Sequence, residues 1–259
     1  MARALVAGIL QGGGAVAENL TVVDPDPDVK DWWNQNHPDV AFGQTFEEAL
    51  PSAGKVMLAV KPNVVPAVLN SPTDPLQAWG GKLVLSIAAG VPLKTLASGA
   101  GHGRVVRVMP NTPSLVGQGA SGYCTGPDIS ATDRQWVEQT LGSVGTVVEV
   151  TEAQIDAVTG VSGSGPAYVF MLIEALADGG VAAGLTRTVA LDLAIQTVLG
   201  AATMVRDSSR HPAQLKDNVC SPGGTTIAAV RSLEQNGFRA ALIDAVVTAA
   251  TRSRELGGS

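Results

Sequence analysis

"MARALVAGILQGGGAVAENLTVVDPDP", residues 1–27, decides how the first half of the chain is read. Ala2, Leu5, Val6, Ile9 and Leu10 recur at helical spacing, and Gly12, Gly13 and Gly14 end the run. Residues 20–23 then read as a short buried strand before Asp24. A helix followed by a strand that ends in an acid is the back half of a nucleotide-binding unit. Such a unit opens with a hydrophobic strand and a glycine-rich turn that bring backbone N–H groups and a helix N-terminus against a pyrophosphate. In this sequence the helix comes first.

Working outward, short β-branched runs alternate with helical patterns as far as Val150. The runs are "LTVV", "DVAF", "KVMLAV", "KLVLSIA", "RVVRVM" and "TVVEV", with "TFEEALPSA" and "SATDRQWVEQTLGSVG" as helical stretches between them. This alternation predicts βαβ units and a mostly parallel sheet. Thr45 with Glu48, and Ser130 with Asp133, have capping-box spacing and mark helix starts. Beyond Val150 the strand-like runs stop, and long helical patterns break at Gly184, around 208–212, at 221–224 and at Gly237. The predicted division is an α/β dinucleotide-binding domain over 1–150 and an all-helical domain over 151–259. The helical half is apolar around most of each helix, as in "AYVFMLIEALADGGVAAG", and such helices need burial on more than one side. A second subunit is expected to cover them.

Composition narrows the function classes. The 259 residues are 45% hydrophobic, enough for real cores, and the net charge of −6 with only 17 scattered basic residues speaks against a nucleic-acid surface. Cys124 and Cys220 are too few for a disulfide framework and are not spaced as metal ligands, which fits a reduced cytoplasm. His37, His102 and His211 form no ligand pattern, so no metal is expected. The apolar stretch 166–177 is interrupted by Glu174 and Asp178, and residues 1–27 lack a signal-peptide pattern, so neither membrane insertion nor export is expected.

Four stretches carry candidate chemistry. "SPGGTT", 221–226, leads a glycine pair into a helix whose first N–H groups and dipole suit a carboxylate or phosphate, with hydroxyls from Ser221, Thr225 and Thr226. A plain Ser/Thr helix cap reads the same stretch equally well. "VSGSGPAY", 161–168, sets Gly163 and Gly165 around Ser164, where a helix or a ligand approaches closely. "LAVKP", 58–62, and "RVMPNTP", 107–113, close two buried strands, the edge at which open α/β sheets bind ligands. Lys61 and the backbone beside it would face a cofactor at the first, Asn111 and Thr112 are the polar tips of the second, and a simple turn explains either stretch on its own.

Taken together, "VSGSGPAYVFMLIEALADGGVAAGL", "HPAQLKDNVCSPGGTTIAAVRSLEQNGFRAALIDAV", "AVKP" and "MPNTP", in this order, resemble the pyrroline-5-carboxylate reductase family from Met1 to about Leu256. The resemblance implies a Rossmann-like domain, a helical domain interlocked with a partner subunit, and reduction of L-1-pyrroline-5-carboxylate to L-proline by a nicotinamide cofactor. It implies that Ser221 and the amides of Gly223, Gly224 and Thr225 receive the substrate carboxylate, and that Thr226, the catalytic candidate, bonds the ring nitrogen. Val60, Lys61 and Pro62 would border the nicotinamide ribose, with Asn111 near the nicotinamide and Ser164 close to the reacting ring. Family members form homodimers and often rings of dimers.

Within the resemblance, the first helix follows a strand and a G-x-G-N-M turn, and Met1 aligns with the methionine of that turn. The expectation is that about ten to twelve further residues stand upstream and that, without them, the sheet is open between neighbouring strands. Asp24 is placed to accept from the ribose hydroxyls of NADH, whereas family weight favours NADPH. Two other readings stand beside the reductase. Lys216 in "LKDN" could serve a β-hydroxyacid-type dehydrogenase, and a chain lacking the cofactor turn could be a non-catalytic dimeric remnant.

Overall fold

The computed structural model describes residues 1–13 and 15–258. Gly14, expected to help end the first helix, lies outside them. The first helix, α1 (Ala2–Gln11), stops at Gly12 and buries Leu5 and Ile9 of the predicted stripe together with Ala4 and Gly8, while Ala2, Val6 and Leu10 are half-buried.

Strands β1 (Thr21–Val22) and β2 (Ala41–Phe42) form a parallel pair joined by helix α2 (Pro27–Asn36). A separate five-stranded sheet runs in sequence order: β3 (Lys55–Leu58), β4 (Leu83–Ser86), β5 (Val105–Met109), β6 (Gly119–Thr125) and β7 (Gly145–Glu149). All its pairings are parallel except β5 with β6. Among the described residues β1 pairs with no strand of the larger sheet.

The parallel strands separate two cores. From β4, Val84 enters a cluster with Leu58, Val65, Leu69, Trp79, Leu96 and Val105, while Leu83 and Leu85 enter a second with Leu5, Val106, Val108, Tyr123, Val137 and Leu141. Helices α3 (Phe46–Ala49), α4 (Val65–Leu69), α5 (Pro75–Trp79) and α6 (Leu93–Ala100) contribute to the first cluster, and α1 and α7 (Ala131–Gly142) to the second. A strand buried on both faces reads as a continuous apolar run, which is why "LVL" stands out in the sequence.

Strand β6 was not among the predicted runs. Its first four residues, Gly119–Gly122, are small, and a β-carbon on Gly122 would meet Val158 Cγ1 at 2.7 Å, so close approach of helix α8 (Ile155–Val158) excludes at that position the branched residues that usually mark a strand. Both predicted caps are present. Thr45 Oγ1 accepts from Glu48 N at 3.3 Å, and Ser130 and Asp133 form a complete capping box.

Packing divides the chain at Ser164, later than the loss of strand character at Val150. One unit holds residues 1–164 and 248–258, and the other is Gly165–Val247. The second unit contains α9 (Gly165–Ala182), α10 (Arg187–Ser208), α11 (Pro212–Val219), α12 (Thr225–Gln235) and the first half of α13 (Phe238–Gly257). Among its described residues only Ala177, Ala190 and Ala194 are fully buried. Phe170, Met171, Leu193, Leu199 and Ile243 each expose more than half of their surface, an apolar load larger than a lone soluble unit carries. Helix α10 is long and apolar enough to cross a membrane by length and composition.

Asp133 anchors α7 to the sheet. Arg104 donates to it from Nε at 2.9 Å and Nη2 at 2.6 Å, and Ser130 donates from its hydroxyl at 2.8 Å. The Arg104 guanidinium, followed by the Ser130 donors, pulls the carboxyl down to about 2. A carboxylate with a depressed folded pKa stabilises the fold above its unfolded value and loses that contribution as pH falls towards the folded value. Urea unfolding should therefore show about 2 kcal/mol lost between pH 4 and pH 2 through this group, and Asp133→Asn should flatten that part of the pH profile.

Candidate functional site

The substrate-side candidate is the start of α12. Gly223 has φ +66°, a conformation that favours glycine, and Gly224 is the N-cap in extended backbone. No side chain caps this helix, which removes the plain Ser/Thr-cap reading. The amide of Gly224 donates to Ser221 O at 3.0 Å, so of the three amides assigned to the carboxylate this one is already engaged. Among the described residues the amides of Gly223, Thr225, Thr226 and Ile227 have no protein acceptor. Ile227 therefore joins the candidate donors, and the signal was available: the first three residues of any helix present free amides. The Ser221 hydroxyl lies against the Gly224 α-carbon, and the Thr226 side chain is half-buried.

The segment before this loop is fixed by His211, whose Nδ1 accepts from Ala213 N at 3.2 Å and caps α11, with Pro212 at the first helical position. Lys216 pairs at 3.0 Å with its neighbour Asp217 on the exposed side of α11.

The cofactor-side candidates lie in the first unit. Lys61 is exposed, caps the short turn Pro62–Val64 through its backbone, and makes no ion pair among the described residues. Val60 leans on the first core cluster and Pro62 is exposed. Asp24 is half-buried, and its Oδ1 accepts from Asp26 N at 3.0 Å in a local turn, which leaves Oδ2 without a protein donor. Asp26 in turn caps α2.

One expectation needs correction. Asn111 is not a free polar tip: it is buried, its Nδ2 donates to Ser162 O at 3.1 Å, and its Oδ1 accepts from Ala120 N at 2.9 Å. Of the two glycines around Ser164, Gly163 packs against the flexible end of Met109, and Gly165 has open space where a β-carbon would stand. Ser164 is half-buried, and its amide closes the π-helical turn Thr159–Gly163 by donating to Thr159 O at 2.8 Å.

The sequence reading passed over Arg107 and Glu152. Arg107 is buried within an otherwise apolar strand, and its Nη1 lies 3.4 Å from Glu152 Oε1, which also accepts from Leu93 N at 2.6 Å. A charge inside "RVVRVM" is itself the signal, because a buried guanidinium needs a partner. Cys124 is buried nearby, and burial, followed by the Glu152 carboxylate, pushes its thiol up to about 11, so it stays protonated and is no nucleophile.

A dinucleotide-type α/β unit followed by a unit of helices with bare apolar faces defines the class, a two-unit oxidoreductase fold. Residues 1–90 match the profile "NADP oxidoreductase coenzyme F420-dependent", and 152–256 match "Pyrroline-5-carboxylate reductase dimerisation". The pyrroline-5-carboxylate reductase of Arabidopsis thaliana is 50% identical over 232 residues, 87% of this chain and 83% of that protein. That of Synechocystis is 44% identical over 99% of this chain and 95% of its own length. The Coxiella burnetii pyrroline-5-carboxylate reductase structure superposes with a TM-score of 0.90 at 35% identity, covering 98% of this chain and 94% of that one. The Plasmodium falciparum structure, with NADP bound, gives 0.85 at 35% identity with the same coverage. The chain belongs to the pyrroline-5-carboxylate reductase family. The β-hydroxyacid dehydrogenase reading through Lys216 is set aside by these relatives, and they do not favour the non-catalytic one.

Gly223→Ala tests whether the loop depends on its left-handed residue. No neighbour stands within 4 Å of the added carbon, so the cost is conformational alone, about 1 kcal/mol. Thermal unfolding should register that loss.

Proposed function

We propose that this protein reduces L-1-pyrroline-5-carboxylate to L-proline, with NADPH as the cofactor and NADH as the alternative donor. The observation that carries the reading is the uncapped start of α12, an anion site in a chain half identical to named reductases. The substrate carboxylate is taken by the amides of Gly223, Thr225, Thr226 and Ile227, with the Ser221 hydroxyl beside them. The positive end of the helix dipole favours that charge. When bound, the dihydronicotinamide supplies a hydride to the carbon of the C=N bond. The ring nitrogen takes a proton, and one substrate, one reduced cofactor and one proton give proline and oxidised cofactor.

Thr226 is the group for that nitrogen: its hydroxyl makes no hydrogen bond among the described residues, so it is free to hold the ring in register. Orientation is the protein's main contribution, since the cofactor carries the chemistry. Val60, Lys61, Pro62 and Ser164 border the cofactor, the first three at the end of β3. The free oxygen of Asp24 suits a ribose hydroxyl and repels a 2′-phosphate, which argues for measurable NADH use. The bare faces of α9, α10 and α13 are covered by a second copy in a homodimer, and dimers can assemble into rings. With that face covered, α10 belongs to a soluble, cytoplasmic assembly.

The test is the loss of absorbance of NADPH and NADH with pyrroline-5-carboxylate as substrate. Turnover is expected with NADPH, a smaller rate with NADH, and a rise in the NADPH:NADH ratio for Asp24→Ser. Thr226→Val should lower kcat by about tenfold or more, the scale of a positioned proton-handling group. No turnover with either cofactor would refute the reading.

A further inference from the structure

Strand β5 ends at Met109, and the chain turns through Pro110 and Asn111 into the short helical turn Thr112–Val116. A carboxamide offers one acceptor oxygen and one donor nitrogen, and Asn111 uses both, on Ala120 N and Ser162 O. The partners fix its orientation, because a flipped amide would set oxygen against the Ser162 carbonyl and NH2 against the Ala120 N–H. One buried side chain thus bridges the start of β6 and the π-helical turn Thr159–Gly163.

That turn is an uncommon, wide-ringed structure that needs local support. Thr159 Oγ1 bonds back to Ile155 O at 3.0 Å, and Ser162 Oγ to Val158 O at 3.1 Å. A β-carbon on Gly163 would stand 2.5 Å from Met109 Cε, so the turn packs directly on the end of β5. The beginning of the same segment is tied to the same strand, through Glu152 and Arg107. Residues 152–163 are therefore held at both ends by polar side chains from 107–111, and Asn111 holds the end nearer Ser164.

We propose that Asn111 is a positioning residue. Its carboxamide fixes the backbone of 162–164 against the C-terminal end of β5 and does not itself contact the cofactor. This rests on the reductase reading only for its consequence: the fixed backbone lies at the C-terminal end of β5, the sheet edge at which that reading puts the nicotinamide, so loosening it slows hydride transfer while the rest of the dinucleotide, held elsewhere, binds as before.

Asn111→Asp is the informative variant, because it keeps the shape and the acceptor for Ala120 N. Its second oxygen can donate to Ser162 O only when protonated, and burial beside a carbonyl raises the pH at which that occurs. Relative to the parent protein, kcat at pH 8 should fall at least tenfold and recover at least fivefold by pH 5.5. The NADPH Kd, from fluorescence titration, should stay within twofold. Hydrogen exchange of the peptide spanning 159–164 reads the clamp without turnover. It should be faster in the variant at pH 8 and indistinguishable from the parent at pH 5.5, after correction for intrinsic rates. Unchanged exchange at pH 8 would overturn the proposal, as would a pH-independent loss of kcat or an NADPH Kd that rises as kcat falls. A parent protein that fails to turn over pyrroline-5-carboxylate would refute the reductase reading, and the exchange result would still decide the clamp.

Discussion

Because β5 is hydrogen-bonded on both edges, parallel to β4 and antiparallel to β6, its side chains have only the two faces of the sheet to enter. Val106 and Val108 fill one core and Val105 the other, and alternation then directs Arg107 and Met109 to the Val105 side. A buried guanidinium on that face would cost several kcal/mol unpaired, so Glu152 has to stand opposite it. Glu152 in turn lies at the head of the segment that ends in the π-helical turn, and Met109 is what Gly163 packs against. One strand's alternation thus dictates where the polar ties fall and where the chain leaves the first unit.

The second unit obeys a different constraint. Its two longest complete helices meet through alanines, with Ala177 facing Ala190 and Ala194, and small residues allow close backbone approach but bury little area. At about 25 cal/mol per Å2, three alanines cannot hold such a unit, since burying one large aliphatic side chain is itself worth about 1.5–3 kcal/mol. Tyr168, whose hydroxyl donates to Ala245 O at 3.3 Å, adds one polar tie between α9 and α13. The apolar side chains that would supply the missing area point outward, which is the physical content of a dimerisation unit: the core is completed by association.

What the sequence made legible was whatever is written locally. The strands buried on both faces, the caps at Thr45 and Ser130 and the stop at Gly12 each depend on residues within about four positions, whereas the sequence left the start of α12 open between a Ser/Thr cap and free amides. Features that depend on distant partners were not legible. Asn111 has its partners 9 and 51 positions away, so a turn-forming residue at a strand end looked like a free polar tip. Strand β6 opens on small residues, with Gly122 held small by Val158 of α8, and propensity ranks such residues low. The division between units fell at Ser164 rather than Val150 because packing, unlike composition, counts the short helix and π-helical turn that fold back onto β5 and β6.

The start of α12 is a local choice that leaves backbone donors open. A Ser, Thr, Asp or Asn at the N-cap would use its side chain to satisfy the amides of the second or third helical residue, as Asp26 and Ser130 do for α2 and α7. Glycine at that position lowers helix stability by only a few tenths of a kcal/mol relative to those residues, yet it leaves Thr225, Thr226 and Ile227 open. The Gly224 amide, which nothing else would satisfy, turns back to Ser221 O and shapes the loop. What remains is a set of adjacent donors with no acceptor among the described residues. In a chain of net charge −6 no general field draws an anion there, so the attraction is confined to the helix terminus itself. A small planar carboxylate, able to accept from several adjacent amides at once, meets that geometry better than a large polyanion would.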